Sequence, residues 1–404
     1  MAAFDLDAVR ARFPALSQRG PDGRPLVHAD APGGTQVVGD VIDAMRDHLV
    51  TSNANSHGPF PASQRTDALC AEVRRRAGRF LGSDPEGIVF GPNMTTLTIH
   101  FSRALDARVS AGDNLVCTRL DHDANVSPWL ALAARTGAEV RLVPLRDDGA
   151  LEAAALDELV DERTRLVAFP AASNALGTVV DPTPFVAAAR RVGALAFCDA
   201  VHAAPHVPLD RAGNGIDVLV CSPYKFFGPH AGLLAADPAL LAELAPDKVR
   251  PAPDHGPERW QTGTANFEAI AGIGAALAYL EEVGMDAIGA HERTLSTRFL
   301  DGLARLDHVH LHGPPTVTGR TPTFAVTLDG RAPDEVSAAL AAQGIATWPG
   351  HYYALEPLGA LGLLDRGGAV RIGFVHYHGP DDVDRVLEAL DELAPGAAAS
   401  GAQA

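Results

Sequence analysis

Only four cysteines occur in 404 residues: Cys70, Cys117, Cys198 and Cys221. No two share C-x-x-C spacing, and three lie in or beside apolar runs, where a thiol most often serves as a small hydrophobe. That usage predicts a reducing, cytoplasmic setting. Basic residues are also few, 33 Lys+Arg against 50 Asp+Glu, for a formal net charge of −17. Nucleic acid and anionic membranes both require a basic surface, so neither is an expected partner and a small metabolite is. No stretch approaches the ~18 apolar residues of a membrane span. The opening Met-Ala-Ala-Phe-Asp-Leu-Asp is acidic where a signal peptide starts positive, so a cytoplasmic location is expected. Internal repeats are absent. What is present, 47% hydrophobic and 21% charged residues, is enough for two domains around a large core.

Short apolar runs alternate with helix-period segments, the pattern of a parallel sheet with crossover helices, so the fold class is α/β. Strands are predicted at 87–90, 114–117, 139–143, 165–169, 194–198, 217–221 and 232–235, and helices at 63–81, 125–136, 151–159 and 182–192. After Phe267 a long helical stretch, 268–306, leads into a smaller unit with strands at 309–311, 323–328 and 370–374 and helices at 333–343 and 381–393. The closing run from Pro395 to Ala404 has nothing to bury and is expected to be flexible.

Chemistry concentrates where these runs end. Ser222-Pro-Tyr-Lys-Phe-Phe-Gly-Pro229 sets Lys225 directly after a buried strand, at the carboxyl edge where open α/β sheets bind ligands. Desolvation there lowers an amine's pKa and lets it condense with an aldehyde. The strand Ala194-Leu-Ala-Phe-Cys-Asp199 ends on a buried acid. Lysine and acid together point to pyridoxal 5'-phosphate, which needs an amine to carry it and a carboxylate beside its pyridine nitrogen. Alone, each has a plainer reading: a solvated loop lysine and a helix N-cap aspartate. Other strand ends add Gly91-Pro-Asn-Met-Thr-Thr96, suited to a phosphate or to a simple threonine cap, and Asp121-His-Asp-Ala-Asn125, whose imidazole can stack on a flat ring. A further one is Ser173-Asn-Ala-Leu-Gly177, whose amide suits a ring hydroxyl.

These motifs, with His28-Ala-Asp-Ala-Pro-Gly-Gly-Thr-Gln36, Asn53-Ala-Asn-Ser-His57, Asp199-Ala-Val-His202, Gly263-Thr-Ala-Asn266 and Val370-Arg-Ile-Gly-Phe374, give the chain a resemblance that runs nearly end to end. It resembles the fold-type I pyridoxal-phosphate enzymes of aminotransferase class V, cysteine desulfurase-like branch. The resemblance implies a mainly parallel seven-stranded sheet in a large domain, 36–267, a smaller α+β domain, 268–394, joined by an N-terminal segment, 1–35, and a flexible tail, 395–404. It implies that Lys225 holds the cofactor as a Schiff base and moves the substrate's α proton, that Asp199 pairs with the pyridine nitrogen, and that His122 stacks on the ring. Asn174 and His202 would flank the ring hydroxyl, Thr95, Thr96 and Ser222 would form the phosphate cup, and Thr264 would reach the phosphate from the other subunit of a homodimer. Arg371 would clamp the carboxylate of an amino-acid substrate, with His57, Tyr352 and Tyr353 nearby.

Two departures stand out. Where the best-known desulfurases carry a mobile cysteine, this chain has Gly350-His-Tyr-Tyr-Ala354, and Tyr224 replaces the usual histidine before the lysine. Elimination at the β carbon, as in a C–S lyase, needs no persulfide cysteine and is the expected reaction. A class V aminotransferase or an epimerase would use the same residues. A more remote alternative is a metal protein built on His308-x-His310-x-His312, His376-x-His378 and the His202/His206 pair, and another is a cofactor-binding protein without catalysis, against which Lys225 and Arg371 both argue.

Overall fold

The computed structural model describes residues 4–395. Seven strands, β1 (Ile88–Gly91), β2 (Asn114–Thr118), β3 (Glu139–Val143), β4 (Thr164–Pro170), β5 (Leu195–Asp199), β6 (Val218–Cys221) and β7 (Gly232–Ala236), form one sheet in the order β1-β7-β6-β5-β4-β2-β3. All ladders are parallel except those of β7, which runs against both β1 and β6. The carboxyl ends of the other six therefore share one edge.

Side-chain alternation explains why the strands read as unbroken apolar runs. In β5, Ala196 and Cys198 face one core while Phe197 faces the other, and β4 and β6 divide in the same way. Helices cover both faces. Pro61–Leu81 and Thr183–Val192 lie on one side, Met94–Ala104 and Ser127–Thr136 on the other. Pro61 fits the first turn, where its missing N–H costs nothing, and Gly82 (φ 60°) ends the helix in the left-handed region.

A second sheet contains β8 (Val309–His312), β9 (Thr323–Leu328), β10 (Trp348–Gly350) and β11 (Ala369–Gly373), antiparallel throughout, in the order β10-β11-β9-β8. The N-terminal segment joins it through bridges from Val27 to Ile345 and from Asp30 to Gly373.

Three expectations change. The long helix over 268–306 is two helices, Phe267–Val283 and Met285–Leu303, because Gly284 (φ 83°) leaves the helical region. The first packs its Ile270, Ile273 and Leu277 with the large sheet, and the second gives Leu295 and Phe299 to the core under the small one. The helix expected from Leu151 begins only at Leu156, after a tight turn, because Leu151 bridges Leu145 and the Glu152 N–H donates to the Pro144 carbonyl. β10 was not expected, since three residues containing a proline carry no period. Of the closing run, 396–404 lie outside the described residues.

Candidate active site

Strand ends bring the predicted residues together. A cavity of about 570 Å³ at the carboxyl edge is lined by Thr95 after β1, His122 after β2, Asn174 after β4, Asp199 and His202 at the end of β5, and Ser222, Tyr224 and Lys225 after β6. It opens into a vestibule of about 2180 Å³ that adds Thr96, Arg371, Tyr352 and Tyr353.

Lys225 lies at the centre. Its Nζ donates to the Pro32 carbonyl at 2.5 Å and sits 4.9 Å from the centre of the Tyr224 ring. Burial first, then the Arg371 charge, lower its pKa to about 7 against the opposing pull of Asp199 and Asp30. A lysine near neutrality is half unprotonated at physiological pH, the state in which it can attack a carbonyl.

Asp199 is buried, and burial raises its carboxyl to about 6 although the Val201 N–H donates to Oδ1 at 2.9 Å and Lys225 pulls the other way. Its second oxygen has no hydrogen-bond partner among the described residues. A cationic ring nitrogen would meet that need. Behind it Asp121, held by the Thr118 hydroxyl (2.7 Å) and the Asn125 amide (2.7 Å), is pushed by burial to about 8.

His122 is driven by burial, Lys225 and Arg371 to about 3, so it stays neutral, and its ring stacks on Tyr353 at 5.5 Å and 25°. His202 is held well below its usual value by burial, with Nε2 between the hydroxyls of Thr321 (3.1 Å) and Thr323 (3.0 Å). Neutral imidazoles suit the flank of an aromatic ring.

The phosphate end is built from a helix start. Asn93 caps the helix Met94–Ala104 by accepting from the Thr96 N–H at 2.8 Å, so asparagine, and not a threonine, is the cap. Ser222 Oγ accepts from the Met94 N–H at 3.2 Å, which leaves Thr95 facing the cavity. Gly232 permits this approach: a Cβ there would fall 2.3 Å from the Asn93 carbonyl carbon. Exposed amides and hydroxyls at a helix N-terminus suit a phosphate.

Arg371 is fully buried, its Nη1 donates to the Asn174 carbonyl at 3.0 Å, and its guanidinium lies 4.5 Å above the Tyr352 ring. Burial lowers it to about 10, and its Nε has no partner. No carboxylate forms an ion pair with it among the described residues. Asn174 also has a free buried Oδ1, while its amide donates to the Tyr352 carbonyl at 3.1 Å. A buried cation and an unpaired acceptor facing the same space call for a bound molecule with complementary groups. These residues fit pyridoxal phosphate and an amino-acid carboxylate.

Other predicted residues depart from their expected roles. Tyr352 supports Arg371 with its ring, but its hydroxyl is enclosed without a partner and its side chain packs against the apolar cluster that includes Leu120, Leu358 and Ala369. Thr264, exposed, lines a second cavity of about 1020 Å³ that shares Thr96 with the vestibule. His57 is exposed beside Asp67 and lines neither the inner cavity nor the vestibule. The strand histidines have individual partners, His308 on the Leu390 carbonyl, His310 on Asp329 and His312 on Thr327. Among the described residues, no three metal-binding side chains converge.

Sequence reasoning missed the Pro32 carbonyl and the Asn93 cap. A stronger signal for the central residue was available: the chain has only two lysines, Lys225 and Lys248, among 33 basic residues.

A sheet edge with a neutral-range lysine, a buried acid and an unpaired arginine defines the class of α/β proteins with a lysine-centred site. Comparison with known proteins makes this specific. The chain belongs to the aminotransferase class-V family, whose model matches residues 27–386. It is 34% identical to a probable cysteine desulfurase 2 of Mycobacterium leprae, over 97% of this chain and 98% of that one. It is 32% identical to a cysteine desulfurase of Klebsiella pneumoniae, over 96% and 98%. The solved apo structure of a cysteine desulfurase from Thermococcus onnurineus NA1 superposes with a TM-score of 0.91 at 25% identity, covering 98% of this chain and 99% of that one. The Escherichia coli cysteine desulfurase CsdA gives 0.86 at 26%, covering 96% and 98%. The fold is thus that of the fold-type I pyridoxal-phosphate enzymes.

Proposed function

We propose that this enzyme carries out β-elimination on an L-amino acid bearing sulfur at its β carbon, and that the sulfur leaves without passing through a protein persulfide. The observation that carries this reading is the absence of cysteine from both the cavity and the vestibule. Cys117, Cys198 and Cys221 are buried in β2, β5 and β6, Cys70 lies in the helix Pro61–Leu81, and burial raises every one of the four thiols. None is a poised thiolate.

The balance is R–S–CH2–CH(NH3⁺)–COO⁻ + H2O → R–SH + pyruvate + NH4⁺, with no oxidant or reductant. Bound pyridoxal phosphate supplies the electron sink at the substrate's α carbon. Arg371 clamps the α-carboxylate with its planar fork. Lys225 takes the α proton at Nζ, a task for which a value of about 7 is suited. Asp199 would hold positive charge at the cofactor's ring nitrogen, and His122 and His202, both neutral, would flank the ring.

We also assign Thr264, and with it His57, to the site of the neighbouring subunit in a cytoplasmic homodimer. Thr264 is exposed and outside the inner cavity, and Ile42, Leu49, Val50 and Phe60 are exposed apolar side chains, which supports this reading.

Product analysis with L-cysteine tests the reaction. Pyruvate and ammonium in equal amounts, lost in Lys225→Ala, are expected. Alanine without pyruvate would indicate desulfuration, and amino transfer to an added keto acid would indicate an aminotransferase.

A further inference from the structure

Single exposed apolar residues are ordinary on a protein surface, but three that line one cavity above a reactive floor are not. Ile99, Trp348 and Tyr353 are 46%, 51% and 65% exposed, come from three separate segments, and all line the vestibule that has Lys225 and Arg371 at its base. The vestibule runs outward from the inner cavity, from Lys225 and Arg371 to Ile99, Trp348 and Tyr353.

Both aromatic side chains are held in position. Trp348 pairs with Arg371 across the antiparallel ladder of β10 and β11, so the indole shares a sheet face with the guanidinium, Cβ atoms about 5 Å apart. Gly33 makes room for it, since a Cβ there would fall within hard contact of the indole nitrogen. Elsewhere in the vestibule Tyr353 lies on His122, and its carbonyl accepts from the Asp123 N–H at 2.8 Å. Tyr352 (φ 35°) and Tyr353 (φ 58°) both occupy the left-handed region, a strain that bulky residues in loops rarely bear without a role. Of the vestibule's other arginines, Arg103 pairs with Asp247 at 3.3 Å and Arg135 with Asp106 at 2.8 Å, so above Lys225 and Arg371 at the base the wall carries no arginine or lysine without an acidic partner.

We propose that Trp348, Tyr353 and Ile99 form the binding site for an apolar, preferably aromatic, sulfur substituent, so that the enzyme's substrates are S-substituted L-cysteines. This rests on the β-elimination reading of the same site and names its substrate class. An aromatic group packed on the indole or the phenol gains stacking as well as burial.

Tryptophan fluorescence tests it without turnover. Trp129 and Trp260 are buried, at 0% and 2% exposure, so acrylamide quenching of the native protein reports on Trp348. L-2-Amino-5-phenylpentanoate, the all-carbon isostere of S-benzyl-L-cysteine, has no leaving group. It is expected to shield Trp348, with or without bound cofactor, whereas L-alanine is not. In the holoenzyme, Trp348→Ala is expected to lower kcat/KM for S-benzyl-L-cysteine relative to that for L-cysteine by roughly fivefold, with Trp348→Phe retaining most of the preference. Failure of the isostere to shield Trp348 in a protein that yields pyruvate from L-cysteine would overturn the substrate class and leave the elimination reading intact. Shielding without pyruvate from either compound would overturn it through the reaction on which it rests. Shielding before any ligand is added, relieved on dilution, would overturn it by showing that a second copy covers this wall.

Discussion

Lys225 is a lone amine held against a carbonyl, an aromatic ring and an unpaired arginine, and its lowered pKa follows from that company. Only the neutral amine captures the cofactor's aldehyde. Raising the pH through about 7 removes the proton, so the rate at which cofactor-free protein gains its visible absorbance should climb up to that region and level off above it. A rate still rising tenfold per unit beyond pH 9 would mean an ordinary solvated lysine. Arg371 makes a second claim at this scale. Its fork bonds the Asn174 carbonyl and stacks on Tyr352, geometry that lysine cannot reproduce. Arg371→Lys should raise KM for an amino acid roughly tenfold or more, and saturation kinetics with the α-carboxylate replaced by an amide should show little further loss.

At the scale of elements, the phosphate end depends on a helix start that comes within contact distance of β7. Gly232→Ala would drive a Cβ into the Asn93 backbone and displace the first turn of the helix Met94–Ala104. The expected result is weaker cofactor retention, at least tenfold by equilibrium dialysis, with the far-ultraviolet dichroism unchanged. The parallel strands were legible in the sequence because both faces are buried, so apolar runs such as Val218–Cys221 mark them and the residue after each run marks the site. β10 was not legible, because it owes its existence to pairing with β11, a contact that sequence alone does not report. The helix break at Gly284 was likewise hidden inside a continuous apolar period. Arg371 was found only through family resemblance; its unpaired, buried state is a property of the packed site. Trp348 became visible as a wall of the vestibule only once its register with Arg371 was known.

For the whole molecule, the proposed homodimer would bring in Thr264, which lies outside its own inner cavity, from the second subunit. Thr264→Ala should weaken cofactor retention at concentrations where the dimer persists. Mixing it with a Lys225→Ala chain should restore one intact site per heterodimer, recovering activity that neither variant has in full; no recovery would indicate that each subunit works alone. The large and small sheets meet at that site, one supplying Lys225 and Asp199, the other Arg371 and Trp348. Central to all of this is the proposal that sulfur leaves without a protein carrier. The most direct test is the intact mass of the protein quenched during turnover of L-cysteine, with pyruvate measured in the same sample. The account predicts an unmodified polypeptide mass alongside accumulating pyruvate. A polypeptide heavier by one sulfur atom, with alanine formed in place of pyruvate, would contradict it.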